Sequence, residues 1–324
     1  MNRRHALGLL AFLFAARRAS AQVPDRAWPT HTVKLIVPFG AGSTPDVIMR
    51  VIADHLKTKF GQSFVVENKP GASGNLGTDA VAKAAPDGYT LGLSIGGPLA
   101  INPILFGKLP YDPKTDLATV TLVVTQPSVL AVNSSLGVPN VAALVALLKQ
   151  NPGKYNFGSI GAGSLSHLAM EAIALKSGTQ IVHVPYPSSP AAVTALLRGD
   201  VQMVCLPAIS VTPQAAAGKL KILAVSTAQR SSLLPGIATL KEVGIDVEAD
   251  AWSGLIAPAK TPPVVIEAVR AAVAEALNAP DVRAKLAAQI MEPIPSTPAQ
   301  FRARIDADIA RWTPVIKAAH IKVN

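Results

Sequence analysis

Short apolar runs rich in β-branched residues alternate with stretches of helical periodicity, and this alternation restricts the fold more than any other feature of the chain. Residues 33–37 precede a helix expected from about Pro45. Residues 64–67 precede a helix over 74–84, residues 90–94 and 155–159 read as further strands, and residues 180–184 lead into a helix over 191–197. Succession of this kind reads as α/β with mainly parallel strands. The first helix sets Ile48, Val51, Ile52, Leu56 and Phe60 near helical spacing, so one face packs on the sheet. Residues 263–277 form a second striped helix, and Thr297-Pro298 caps a last one striped by Phe301, Ile305, Ile309 and Trp312.

The 324 residues suit about two domains, yet no low-complexity linker divides them, so the chain is expected to cross between domains through ordered strands. Its first residues, MNRRHALGLLAFLFAARRASAQ, have the basic start, short apolar core and small-x-small end of a secretory signal peptide cleaved near Ala21. The apolar core is too short to span a bilayer. Arg17 and Arg18 are unusual there, and Arg3-Arg4 is compatible with twin-arginine export, so the export route stays open. Losing four arginines and no acids lowers the formal charge from +10 to +6. The remaining lysines are scattered, without basic runs or interleaved aromatics, which argues against nucleic acid as a partner. The single Cys205 can form no internal disulfide and reads as a buried small apolar side chain.

Residues 38–46, PFGAGSTPD, raise the main chemical question. A phosphate loop needs Lys-Ser/Thr after its second glycine, and Ser43-Thr44 follow Gly42 instead. A dinucleotide fingerprint needs glycine where Pro45 stands. Residues 92–96, Gly-Leu-Ser-Ile-Gly, match the nucleophile turn of a serine hydrolase around Ser94, but Gly97-Pro98 follows where a helix should begin. His167 and His183 lie in no cluster with metal-ligand spacing, so neither metal nor cofactor is expected. What PFGAGSTPD satisfies is a helix start, with Thr44 as N-cap, Pro45 at the first helical position and Asp46 in the first turn. Residues 158–166 repeat the arrangement, with Ser164 as N-cap and Gly178 as the helix stop. Free N–H groups at two such helix starts suit an anion, while two well-capped strand-to-helix connections explain the same residues equally well.

Eight stretches carry a family resemblance: VPFGAGSTPD (37–46), VENKPGASGNLGT (66–78), APDGYTL (85–91), LPYDP (109–113), FGSIGAGSLSHL (157–168), HVPY (183–186), GKLKILAV (218–225) and WSGLIAP (252–258). Together they resemble the Bug family, the TctC-like periplasmic binding proteins of tripartite tricarboxylate transporters. The resemblance spans nearly all of the mature chain. It implies a two-lobed type II periplasmic-binding (Venus flytrap) fold, each lobe a mainly parallel sheet flanked by helices, closing on a small carboxylate. One lobe would hold residues 23–126 and 250–324, and the other residues 127–249.

The resemblance further implies contacts from Phe39, Ala41, Gly42, Ser43, Thr44 and Asp46 on one side, partly through ordered water, with Gly97 completing that lobe. Ser159, Gly161, Ser164 and His167 would contribute from the other side. Two departures bear on specificity: Pro187-Ser188 stand where many relatives have Lys-Gly, and Cys205-Leu206 where an Asp is frequent. Phe39, Tyr186, Ser188 and Leu206 are therefore expected to read the variable part of the ligand. The implied partners are a small organic acid and the membrane subunits of such a transporter, with a monomeric, non-enzymatic protein in the periplasm. A secreted hydrolase using Ser94, or the binding component of a sensory system, are the competing readings.

Overall fold

The computed structural model describes residues 28–322, so the leader peptide expected over residues 1–21 lies outside the described residues. In chain order the strands and helices begin with β1 (Val33–Val37), α1 (Thr44–Phe60), β2 (Phe64–Asn68), α2 (Asn75–Ala82) and β3 (Thr90–Ile95). The short α3 (Asn102–Leu105), β4 (Leu117–Gln126), β5 (Ser128–Asn133), α4 (Val141–Gln150) and β6 (Asn156–Ser159) follow. Next come α5 (Leu165–Ser177), β7 (Val182–Pro185), α6 (Ser189–Arg198), β8 (Met203–Pro207), α7 (Ala208–Ala216) and β9 (Leu220–Val225). The chain closes with β10 (Ala251–Pro258), α8 (Pro263–Asn278), α9 (Pro280–Ala287), β11 (Glu292–Pro293) and α10 (Pro298–Ala318).

Two helix-flanked sheets result, of order β11-β4-β10-β3-β1-β2 and β7-β6-β8-β5-β9. Strand β1 runs parallel to β2 and β3, and β6 parallel to β7 and β8, as the alternation predicts. The remaining pairs are antiparallel, so the sheets are mixed rather than mainly parallel. The reason is the route between sheets. Strand β4 runs out of the first sheet directly into β5 of the second, and β9 and β10 bracket the return, so each outgoing strand lies beside an incoming one. Such pairs need no crossover helix. Ala251 sits opposite Gln126 and Val129 opposite Val225, at the point where both passages cross. Ser226 fastens them: its hydroxyl donates to the carbonyls of Ser128 and Ala249, and Ala249 N–H donates back to Ser226.

Helix α1 buries Ile48, Met49, Ile52 and Leu56 against the first sheet and ends at Gly61, whose left-handed φ of 66° closes the last turn. Helix α10 behaves differently. Phe301 and Ile305 pack with Trp252 and Ile256 of the first sheet, whereas Trp312, Val315 and Ile316 pack with Phe157 of the second sheet and with Leu168 and Ile173 of α5. Its close approach to β10 requires Gly254, where a Cβ would stand 2.2 Å from the Phe301 ring. Among the described residues no helix is long and apolar enough to cross a membrane, and no group of three or more His, Cys, Asp or Glu could hold a metal ion.

Candidate functional site

A cavity of about 510 Å³ lies between the two sheets, and loops after β1 and β6 open onto it. On the first side Phe39, Thr44 and Pro45 line it. The cap differs from expectation: Ser43, in extended conformation, is the N-cap and Thr44 is the first helical residue. The Ser43 hydroxyl makes no capping bond and is buried without a partner. Asp46 closes the loop instead, because its Oδ2 accepts from Gly42 N–H at 2.9 Å and Arg50 Nε at 3.0 Å, and its Oδ1 from Asn68 Nδ2 at 2.9 Å. The Arg50 hydrogen bond, aided by those of Gly42 and Asn68, outweighs burial and holds the carboxyl at about 2. Asp46 is 2% exposed and outside the cavity lining, so its carboxylate serves the loop and does not stand as a ligand contact. The N–H groups of Thr44 and Asp46 take no acceptor from the described residues.

On the second side Ser164 caps α5 as expected, accepting from His167 N–H at 3.3 Å and donating to Gly161 carbonyl at 2.7 Å. Ser164 lines the cavity together with Ile160, Ala162, Gly163 and Ser166. Ser159, Gly161 and His167 lie behind them and brace the loop. Gly163 N–H donates to His167 Nδ1 at 3.1 Å, and Gly161 N–H to Ser159 Oγ at 3.1 Å. His183 stacks on His167 with ring centroids 3.7 Å apart and places Nε2 2.6 Å from Ser159 Oγ. Burial, with the neighbouring His167, pushes the His183 imidazole down to about 4, so it stays neutral. Each histidine lies in a stretch that carries the family resemblance, but the stacking of the two rings was not legible, because one stands on α5 and the other on the edge strand β7.

Three expectations for the second side move elsewhere in the structure. Tyr186 packs among partly buried apolar side chains under α6, and Ser188, exposed, caps α6 by accepting from Ala191 N–H at 3.4 Å. Leu206 is fully buried, because alternation along β8 sends Val204 and Leu206 into one core cluster and Met203 and Cys205 into the other. Of that strand end, only Pro207 reaches the cavity. On the first side Ala41, Gly42 and Ser43 form the loop backing the lining residues, and Gly97 lines the cavity.

The cavity walls that pattern reading overlooked are Ile95, Ile101, Leu105, Phe106 and Trp252. Ile95 lies in the Gly-x-Ser-x-Gly match and Trp252 opens the WSGLIAP stretch, but neither pattern marks them as cavity walls, and the apolar run 104–106 ending at Gly107 was the signal for Leu105 and Phe106. The Gly-x-Ser-x-Gly match acquires a packing explanation at its first glycine: a Cβ at Gly92 would stand 2.5 Å from Val81 Cγ2, whereas one at Gly96 would only touch the Trp252 indole, at 3.4 Å. Ser94 itself is buried in β3, 3.1 Å from Thr78 Oγ1, and no histidine of the described residues bonds to it. At the floor Asp308 accepts from Trp252 Nε1 at 2.7 Å and Arg311 at 2.7 Å, while Asp250 accepts from Arg304 at 2.7 Å and from the Thr125 hydroxyl. Glu248 bridges both arginines, at 3.2 Å to Arg304 and 2.9 Å to Arg311. Burial pushes the Asp308 carboxyl up, against the pull of those arginines.

Comparison with known proteins decides the family. The model of the tripartite tricarboxylate transporter family receptor, TctC, matches residues 48–321. The chain belongs to the TctC receptor family. Protein BugT of Bordetella pertussis is 35% identical over 326 residues, covering 100% of both chains. A TctC solute binding protein from Polaromonas, solved with no ligand, superposes with a TM-score of 0.82 at 29% identity, covering 90% of this chain and 100% of that one. An R. palustris protein with adipate gives 0.77 at 35% identity, covering 91% and 99%. MatC from Rhodopseudomonas palustris, with bound malate, gives 0.72 at 29% identity, covering 89% and 99%. This TctC receptor is thus a periplasmic solute-binding protein with the two-lobed fold of those neighbours, and its two sheets are the centres of the two lobes.

Proposed function

We propose that this receptor captures a small organic carboxylate in the cavity between its lobes and presents it to the membrane subunits of a tripartite tricarboxylate transporter. One observation carries the reading: α1 and α5, one from each lobe, both start at the same cavity. Each helix start offers N–H groups and a positive dipole end, worth ~0.3–1 kcal/mol toward an anion and up to ~2 kcal/mol when partly buried. A carboxylate held by both ends would draw the lobes together. Thr44 and Ser164 are the side chains placed to touch it, with Phe39 and Gly97 beside them, while Asp46, Ser159, Gly161 and His167 keep the two loops in shape. We place the lobe boundary at the crossing Gln126–Ser128, giving residues 23–126 plus 250–324 and residues 127–249, a division that the pairing of β4 with β10 supports. Binding alone accounts for these groups, and among the described residues no histidine bonds to Ser94, whose hydroxyl meets Thr78 instead. The leader peptide expected from the sequence, the family, and the adipate and malate of the neighbours support a periplasmic carboxylate binder.

The test is mass spectrometry of ligand released from the purified protein, followed by a thermal-shift screen of carboxylates. A ligand at about 100 times its dissociation constant adds about 2.7 kcal/mol of stability. A melting temperature that no organic acid raises overturns the proposal, as would ester hydrolysis that disappears in Ser94→Ala.

A further inference from the structure

Resting on the reading of this cavity as a carboxylate site, we propose a narrower ligand class: a monocarboxylate with an apolar body, selected by Phe106 and by the acidic floor beneath Trp252. Charge is the first ground. Among the described lining residues none is Lys, Arg or His, and the ionisable ones are Asp250 and Asp308 alone. The ion network behind them sets three carboxylates, Glu248, Asp250 and Asp308, against two guanidinium groups, Arg304 and Arg311. The floor therefore carries one negative charge in excess. Neither arginine can turn to a ligand without leaving a buried carboxylate unpaired. The helix starts of α1 and α5 compensate one carboxylate, and a second, sealed in the cavity, would meet acids with no cation to offset its lost hydration.

The walls are the second ground. Ile95, Ile101, Leu105 and Trp252 present apolar surface, and two further apolar lining residues, Phe106 and Ile160, are 38% and 41% exposed. Exposed apolar side chains that line a cavity shed their water when the apolar body of a ligand lies against them. Phe106 follows α3 and makes no part of any buried cluster, so its exposure is not a by-product of core packing.

Matched pairs of acids that differ only in the second carboxylate test this by titration calorimetry: hexanoate against adipate, and benzoate against terephthalate. In at least one pair the monoacid should bind at least about tenfold tighter. Phe106→Ser should weaken the monoacid and leave the diacid no tighter. Phe106→Lys, at a surface position where folding is not at stake, should narrow or reverse the ratio by supplying the missing cation. Circular dichroism of both variants checks that the fold is kept. A diacid bound as tightly as its monoacid in both pairs overturns this inference and leaves the carboxylate site standing. Binding of no carboxylate at all overturns the site itself. A ratio unmoved in Phe106→Lys removes Phe106 from the selection.

Discussion

Asp46 shows how one residue can be placed correctly in the chain and still be given the wrong partner. Its position in the first turn of α1 is a local property, but its carboxylate turns back to Gly42 and Asn68 because the loop and β2 bring donors to it. Its folded pKa of about 2 lies below the usual 3.8, so its contribution to stability is complete above 3.8 and is lost as pH falls toward 2. Asp46→Asn should therefore flatten the acid limb of melting temperature against pH. His183 acts in the other sense. With a folded pKa near 4 against 6.5, the unfolded chain binds more protons between those values, and stability rises with pH across that window. His183→Gln should remove this slope between pH 4 and 6.5 and leave the slope above pH 7 unchanged, whatever the loss of its stacking costs. Ser164→Ala deletes a capping acceptor and the tie to Gly161. It should cost ~0.5–2 kcal/mol in urea unfolding and weaken ligand binding measured well below the melting range.

At the scale of elements, helices were legible because their caps and stripes lie within a few residues of one another. The last helix begins where Thr297-Pro298 predicts, with a capping box in which Thr297 and Gln300 exchange bonds. Strand direction was not legible in the same way, since β4, β5, β9 and β10 take their direction from the passage between lobes. Nor could periodicity show that α10 serves two cores. Trp312→Ala should cost ~3–5 kcal/mol and, by loosening α10 from the second core, should split a single unfolding transition into two. Calorimetry reads both outcomes together.

Across the whole molecule, the cavity floor doubles as the joint between lobes. Arg304 of α10 holds Glu248 and Asp250, both just before the returning strand β10. Arg304→Ala should cost ~3–5 kcal/mol, because removing one partner leaves buried carboxylates uncompensated, and it should lower ligand affinity by disturbing Trp252. Urea midpoints with and without ligand separate the two effects. The amino-acid sequence by itself determined the α/β alternation, the two glycine loops that end in helix starts, and the passage between halves without a linker, because each depends on neighbours in the chain. Only the tertiary structure decided which of those loop residues face the cavity, that Phe106, Ile160 and Trp252 meet around it, and that the nearby arginines are already committed to acids. Those residues come from distant segments of the chain, and their immediate neighbours do not mark them as one site until the two sheets are packed together.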